Sequence, residues 1–232
     1  MKNLYIIGEP KPLSKPEIEE MDNQISFSLP PDYKAFLILY GLGSINELVM
    51  MQQPDKDFIK SNFSDYMDFW TLTEKEEQLI LNSLTIAATI DGDIITVINN
   101  NENSIVLLPR HSDEVIYFEN LENVINYYAE KYKLGNDLYF DPSYNFEQEY
   151  ISFIKNGSLN KTLFDTVHQI FLDQIPVDKS YNLHTQPKYI IQKIGGWVYF
   201  DNIGKSAVRV KYQKQFKTEA DKIVKLINDQ IK

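Results

Sequence analysis

The chain of 232 residues has no cysteine, which excludes disulfide staples, thiolate metal sites and a cysteine nucleophile, and fits a reducing compartment. It also lacks any apolar run near the roughly 18 residues that a membrane-crossing helix requires. The opening apolar stretch, Leu4 to Ile7, is too short for a secretory signal, so a cytoplasmic location without membrane association is expected. Histidine is scarce: His111, His168 and His184 stand far apart, with no HExxH pattern, GxSxG elbow or phosphate-binding glycine loop beside them. There is no internal repeat and no low-complexity segment. What is present is 43% hydrophobic and 13% aromatic content, ample for one large packed core or two small ones.

Positive charge is scarce in only one part of the chain. Residues 1–138 hold 10 Lys and Arg against 23 Asp and Glu, a net −13, whereas residues 139–232 hold 13 against 10, a net +3. An acidic field of that size repels nucleic acid and speeds encounter with basic proteins, although it also serves plain solubility. The balance changes across Lys133 to Tyr144, a stretch mixing Gly, Asn, Asp and Pro. That composition marks a boundary, so the expected domains are 1–138 and 139–232.

Helix signals open the first part. Ser14-Lys15-Pro16-Glu17 has the form of a capping box, and Ile18, Met21 and Ile25 follow on one face, predicting a helix over about 15–25. Pro31 suits a helix start, Tyr33, Phe36, Leu37 and Tyr40 keep one stripe, and Gly41 stops it. Thr73 to Glu76 caps a shorter helix with Leu79 and Ile80 inward. From Leu84 the pattern changes to short runs, LTIAATI, IITVI, SIVLL and VIYF, which predict a strand meander. Asn120 then caps a helix carrying Leu121, Val124, Ile125 and Tyr128.

In the second part, Phe146, Tyr150, Phe153 and Ile154 take helical spacing up to Gly157, and Leu163, Val167, Ile170 and Phe171 do so up to Pro176. YIIQKI-GG-WVYF predicts a two-residue hairpin, with Gly195 and Gly196 supplying positive φ. SAVRVKY alternates as a strand, and Thr218 to Asp221 caps a last helix. The fold class is therefore α+β, with a smaller ααβββα unit at the C-terminal end.

The segment TIDGDIITV raises the question of chemistry. A calcium loop needs oxygen ligands at alternating positions and a distant glutamate, whereas Asp91 and Asp93 are followed at once by an apolar strand. A turn accounts for every residue: aspartate bonds its own backbone and Gly92 takes a positive φ. Glu74, Glu76 and Glu77 suit a solvated helix N-terminus, where negative charge is favourable. His111, beside Asp113 and Glu114, lies in a turn open to partner contact. Trp197, Tyr199, Arg209 and Lys211 have the aromatic and basic mix that stacks single-stranded bases, but a net +3 is thin support, and packing of the two rings against the helices is the better explanation, so no nucleic-acid partner is expected.

The order of features in residues 14–132 resembles the SUKH superfamily, which includes bacterial immunity proteins of polymorphic toxin systems and a fungal regulator of cell-wall synthesis. Leu29, Pro30, Asp32, Tyr33, Phe36 and Leu37 match its signature, with Pro31 as the variable residue. The end departs from it, since the family usually shows Asn-Gly-Gly where this chain has Tyr40-Gly41-Leu42-Gly43. The resemblance implies helices packed around a mixed, largely antiparallel sheet, with no catalytic residue, metal or cofactor. It also implies a protein partner, in bacteria a toxin that is often a nuclease and whose phosphate-binding site is basic. The residues expected to face such a toxin domain are Asp91, Asp93, Glu74, Glu76, Glu77, His111, Asp113 and Glu114. An intracellular regulatory or scaffold module is the alternative.

Overall fold

A computed structural model describes residues 4–25, 28–99, 104–135, 137–183 and 186–231. The chain forms two compact units. The first comprises Met1–Tyr5 and Pro10–Pro142, the second Ile6–Glu9 and Ser143–Lys232. The architecture is α+β.

The first unit has Tyr5 of the short strand β1 (Tyr5–Ile6), then α1 (Lys15–Asn23) and α2 (Pro31–Leu39). Ser14 and Glu17 close the capping box reciprocally, the Glu17 N–H donating to Ser14 Oγ at 3.4 Å and the Ser14 N–H to Glu17 Oε2 at 2.7 Å. The section after α2 is irregular in sequence but folds into β2 (Gly43–Ile45), β3 (Val49–Asp55), α3 (Phe58–Phe63) and a 3-10 turn over Ser64–Phe69. Then come α4 (Glu74–Leu81), β4 (Leu84–Thr89), β5 (Ile94–Val97), β6 (Ile105–Leu108), β7 (Ile116–Phe118), α5 (Leu121–Lys131) and β8 (Tyr139–Pro142). The sheet order is β1-β8-β2-β3-β4-β5-β6-β7, and the ladders from β8 through to β7 are antiparallel. The predicted meander is the run β4 to β7.

Both faces of the central strands are buried. Ile94, Val106 and Leu108 join Ile59, Met67, Trp70 and Ile80 in one apolar cluster. Ile95, Val97, Ile105 and Leu107 alternate with them and are equally buried. Continuous apolar runs are what a sheet buried on both faces requires.

The second unit contains β9 (Phe146–Ser152), the hairpin β10 (Ile154–Lys155) and β11 (Ser158–Leu159), α6 (Lys161–Gln174), β12 (Lys179–Leu183), β13 (Gln186–Ile191), β14 (Gly196–Phe200), β15 (Ala207–Gln213) and α7 (Lys217–Ile231). Its antiparallel sheet has the order β12-β13-β14-β15-β9. Phe164, Val167 and Phe171 of α6 and Ala220, Ile223 and Ile227 of α7 pack with Val198, Phe200, Val208 and Val210 on one face.

Two expectations are corrected here. The segment from Phe146 is a strand and a hairpin, not a helix, so the order ααβββα does not hold. Its aromatic residues sit at positions that suit either period, and pairing with β15 decides between them. As a strand, β9 exposes Phe146 (42%) and Tyr150 (64%), while Glu147, Glu149 and Ile151 lie opposite Tyr212, Val210 and Val208 on the helix-covered face. The Gly195-Gly196 hairpin is also longer than two residues. A 3-10 turn over Gln192–Ile194 precedes Gly195, which alone of the pair has positive φ, at +57°.

Candidate partner-binding site

TIDGDIITV forms a tight turn between β4 and β5. The Gly92 N–H donates to the Thr89 carbonyl at 3.0 Å with φ at +85°, and the Asp93 N–H donates to Thr89 Oγ1 at 3.0 Å. Asp93 is only 3% exposed. Its Oδ1 accepts from the Arg110 N–H at 3.0 Å, its Oδ2 accepts from the Tyr128 hydroxyl at 2.7 Å, and Lys131 Nζ stands 3.5 Å away. Asp91 accepts from the Tyr132 hydroxyl and lies 3.6 Å from the same ammonium. Tyr128, Lys131 and Tyr132 are spaced i, i+3, i+4, so α5 presents all three on one side.

Burial alone would raise the Asp93 pKa, but the Arg110 N–H, the Tyr128 hydroxyl and Lys131 outweigh it and hold the carboxyl below its ordinary value. The same bond pushes the Tyr128 hydroxyl up, after burial as the first cause. The two aspartates thus tie the turn to α5, with a lysine already where a cation would sit. Among the described residues no group of three or more His, Asp and Glu is arranged for a metal.

Beside this network lies a surface cleft of about 290 Å³ lined by Asp93, His111, Glu114, Tyr127 and Lys131, below the roughly 300–1,000 Å³ of small-molecule sites. The β6–β7 loop that forms it is bonded to the segment just before α4. The Thr71 N–H donates to the Asp113 carbonyl at 2.8 Å, and the Thr71 hydroxyl donates to the Asp113 carboxylate at 3.3 Å. At the N-terminus of α4, Thr73 and Glu76 complete a capping box, and the Tyr117 hydroxyl of β7 donates to Glu76 Oε1 at 3.0 Å. Thr73 and then Tyr117 hold the Glu76 carboxyl below its ordinary value, and burial followed by Glu76 pushes the Tyr117 hydroxyl up to about 12.

Glu76 is thus bonded to β7, the last strand of the sheet, and Asp113 to Thr71 before α4; with Glu74 and Glu77 in the same first turn of α4 and Glu114 next to Asp113, these make an acidic ridge. Asp91 and Asp93 reach its cleft end only through the α5 network. The sequence reading missed Thr71, Tyr117, Tyr128, Lys131 and Tyr132. The spacing on α5 was the available signal, since its polar tips share a face with core residues.

The motif around Pro31 is structural. The Asp32 carboxylate accepts from the Leu121 N–H and so caps α5 across 89 residues of chain. The buried Tyr33 donates to the Gln52 carbonyl at 2.7 Å, and Phe36 and Leu37 are fully buried. Gly41 has φ at +76°, and a Cβ there would stand 1.9 Å from the Lys11 carbonyl oxygen, which explains a glycine at the helix end.

In the second unit, His168 Nε2 lies 2.7 Å from the Tyr189 hydroxyl, with its ring stacked 4.2 Å from Phe200. It is a packed histidine, and burial lowers its pKa. Trp197 and Tyr199 lie on the face opposite the helices, because their register partners are Lys211 and Arg209. Lys188 stands 4.5 Å over Trp197 and Arg209 4.4 Å over Tyr199. His184 lies outside the described residues.

A family model described as the SMI1 / KNR4 family (SUKH-1) matches residues 12–169, more than half of the chain. The chain belongs to this family, whose proteins bind partner proteins. No curated protein and no solved structure matches it. No helix among the described residues is long and apolar enough to cross a membrane.

Proposed function

From its membership of the SMI1 / KNR4 family, we propose that this chain is a non-enzymatic immunity protein that binds and neutralises a cognate toxin domain in the cytoplasm. The acidic ridge of α4 and the β6–β7 loop meets the basic site that the toxin uses, a nuclease site being the best match in charge. The observation that carries this reading is the ridge itself. Five acidic side chains cluster there, in a part of the sequence whose net charge is −13. Bonds from Thr71, Thr73 and Tyr117 hold two of them, Asp113 and Glu76, before any partner arrives. Charges fixed in advance lower the ordering cost of binding and steer encounter.

The test is coexpression with the toxic gene product encoded beside this chain. Growth should be restored, and Glu74→Lys with Glu77→Lys should slow association at low salt by about ten-fold or more while changing dissociation little. Full rescue with an unchanged association rate would remove the ridge from the interface. Capture of several weak host partners in place of one tight toxin would favour a regulatory or scaffold role.

A further inference from the structure

The 3-10 turn over Ser64–Phe69 leaves two large rings in water. Along Asp65-Tyr66-Met67-Asp68-Phe69 only Met67 is buried, in the apolar cluster with Ile59, Trp70 and Ile80. Asp65 and Asp68 are exposed, Tyr66 is 65% exposed and Phe69 48%. Tyr66 has no hydrogen-bond or ring partner among the described residues. Two rings so placed forgo the free energy that burial of their apolar surface supplies. The turn that carries them is nevertheless firmly held. Phe69 packs edge-on against Trp70, with ring centroids 5.6 Å apart, and the buried Trp70 donates through Nε1 to the Pro109 carbonyl at 3.0 Å. The N–H of the next residue, Thr71, donates to the Asp113 carbonyl at 2.8 Å. The segment is thus bonded at two points to the β6–β7 loop that holds Asp113 and Glu114.

Tight interfaces have an aromatic centre and a polar rim, and rings already fixed in place lose little freedom on binding. Resting on the toxin-binding reading above, we propose that Tyr66 and Phe69 are the apolar centre of that interface, on which the toxin domain lays an apolar side chain flanked by Lys or Arg. Charge complementarity selects this occupant. Asp65 and Asp68 stand beside the rings and the acidic ridge adjoins them, so an acidic surface is repelled and a basic one drawn in. The two features then divide the work: the ridge sets how fast the toxin domain arrives, and the rings set how long it stays.

Binding kinetics of the full chain with the purified toxin domain encoded beside it test this. Tyr66→Ala and Phe69→Ala should each speed dissociation by about ten-fold or more and change association by less than about two-fold, the reverse of Glu74→Lys with Glu77→Lys. Tyr66→Phe, which keeps the ring, should bind as the wild type does. Tight binding with dissociation unchanged in either folded alanine variant overturns this proposal and leaves the toxin-binding reading in place, whereas a wild type that binds no toxin domain removes both. Should Phe69→Ala not fold, Tyr66→Ala decides, since that ring has no partner within the chain to lose. Sedimentation of the chain alone should show a monomer, and a dimer that Tyr66→Ala splits would put a second copy on the rings and overturn the proposal.

Discussion

The two sheets handle charge in opposite ways. In the first unit, β5 and β6 are buried at every position, so a charged side chain has no place on either face. Around these two strands charge sits in the turns and at the edge, and there it forms the Asp93 network and the acidic ridge. In the second unit, β15 alternates between Val208, Val210 and Tyr212 on the helix-covered face and Arg209 and Lys211 on the other. Cations there lie over rings on the sheet itself, Lys211 standing 4.4 Å from the Phe146 ring. The first sheet, with β5 and β6 buried throughout, can therefore meet a partner through its rim, while the second carries Arg209 and Lys211 on its strands, beside the rings of the face opposite the helices.

The largest effect expected from this difference comes from adding one charge to each sheet. Val106 is fully buried in β6, and Val106→Lys should cost about 4 kcal/mol or more, enough to unfold the first unit. Gln148→Lys on β9, an exposed position opposite Lys211, should change stability by no more than about 0.5 kcal/mol. Urea unfolding of the two variants measures both, and similar midpoints would break the comparison.

A smaller effect belongs to the buried carboxylate of the β4–β5 turn. Asp93→Asn keeps the size of the side chain but weakens its bonds to the Arg110 N–H, Tyr128 and Lys131, at about 2 kcal/mol near neutral pH. The sign of the pH dependence follows from the lowered pKa. A carboxyl depressed in the folded state contributes its stability in full above the unfolded value, here 3.8, and loses it as pH falls through the folded value. The wild type should thus lose its advantage over Asp93→Asn below about pH 4. A difference that stays constant with pH would mean that packing, not charge, makes the turn.

Local signals explain most of what the sequence reveals about these regions. The capping boxes at Ser14 and Thr73, the glycine at Gly41 and the unbroken apolar runs of β4 to β6 each rest on residues within a few positions of one another. The strand meander of β4 to β7 was legible for that reason. The rest depends on partners far along the chain. The helical spacing of Phe146, Tyr150 and Phe153 is genuine, and only pairing with β15 makes a strand of it. Asp32 capping α5 and Asp93 bonding Tyr128 have no local pattern at all. The acidic residues of the ridge were readable one by one as a helix start and a turn, but not their junction through Thr71 and Tyr117.

The smallest expected effect compares the same chemical pair in the two units. Tyr117 donates to Glu76 at 3.0 Å on the rim of the first sheet, with 43% of the residue exposed. Tyr212 donates to Glu147 at 2.8 Å in the second sheet, its hydroxyl also receiving Lys217 Nζ at 3.0 Å, with the residue fully buried. Water replaces the lost partner at an exposed site but not at a buried one, so Tyr117→Phe should cost less than about 0.5 kcal/mol and Tyr212→Phe about 1–1.5 kcal/mol. Thermal unfolding gives the order. The Glu76 carboxyl should also rise in pKa in Tyr117→Phe yet stay below its ordinary value, because Thr73 still donates to it, and an NMR titration reads that directly. If Tyr117→Phe proves the more costly variant, the rim carries structural weight of its own. The acidic side chains of the ridge would then be held by the fold as firmly as the strands beneath them.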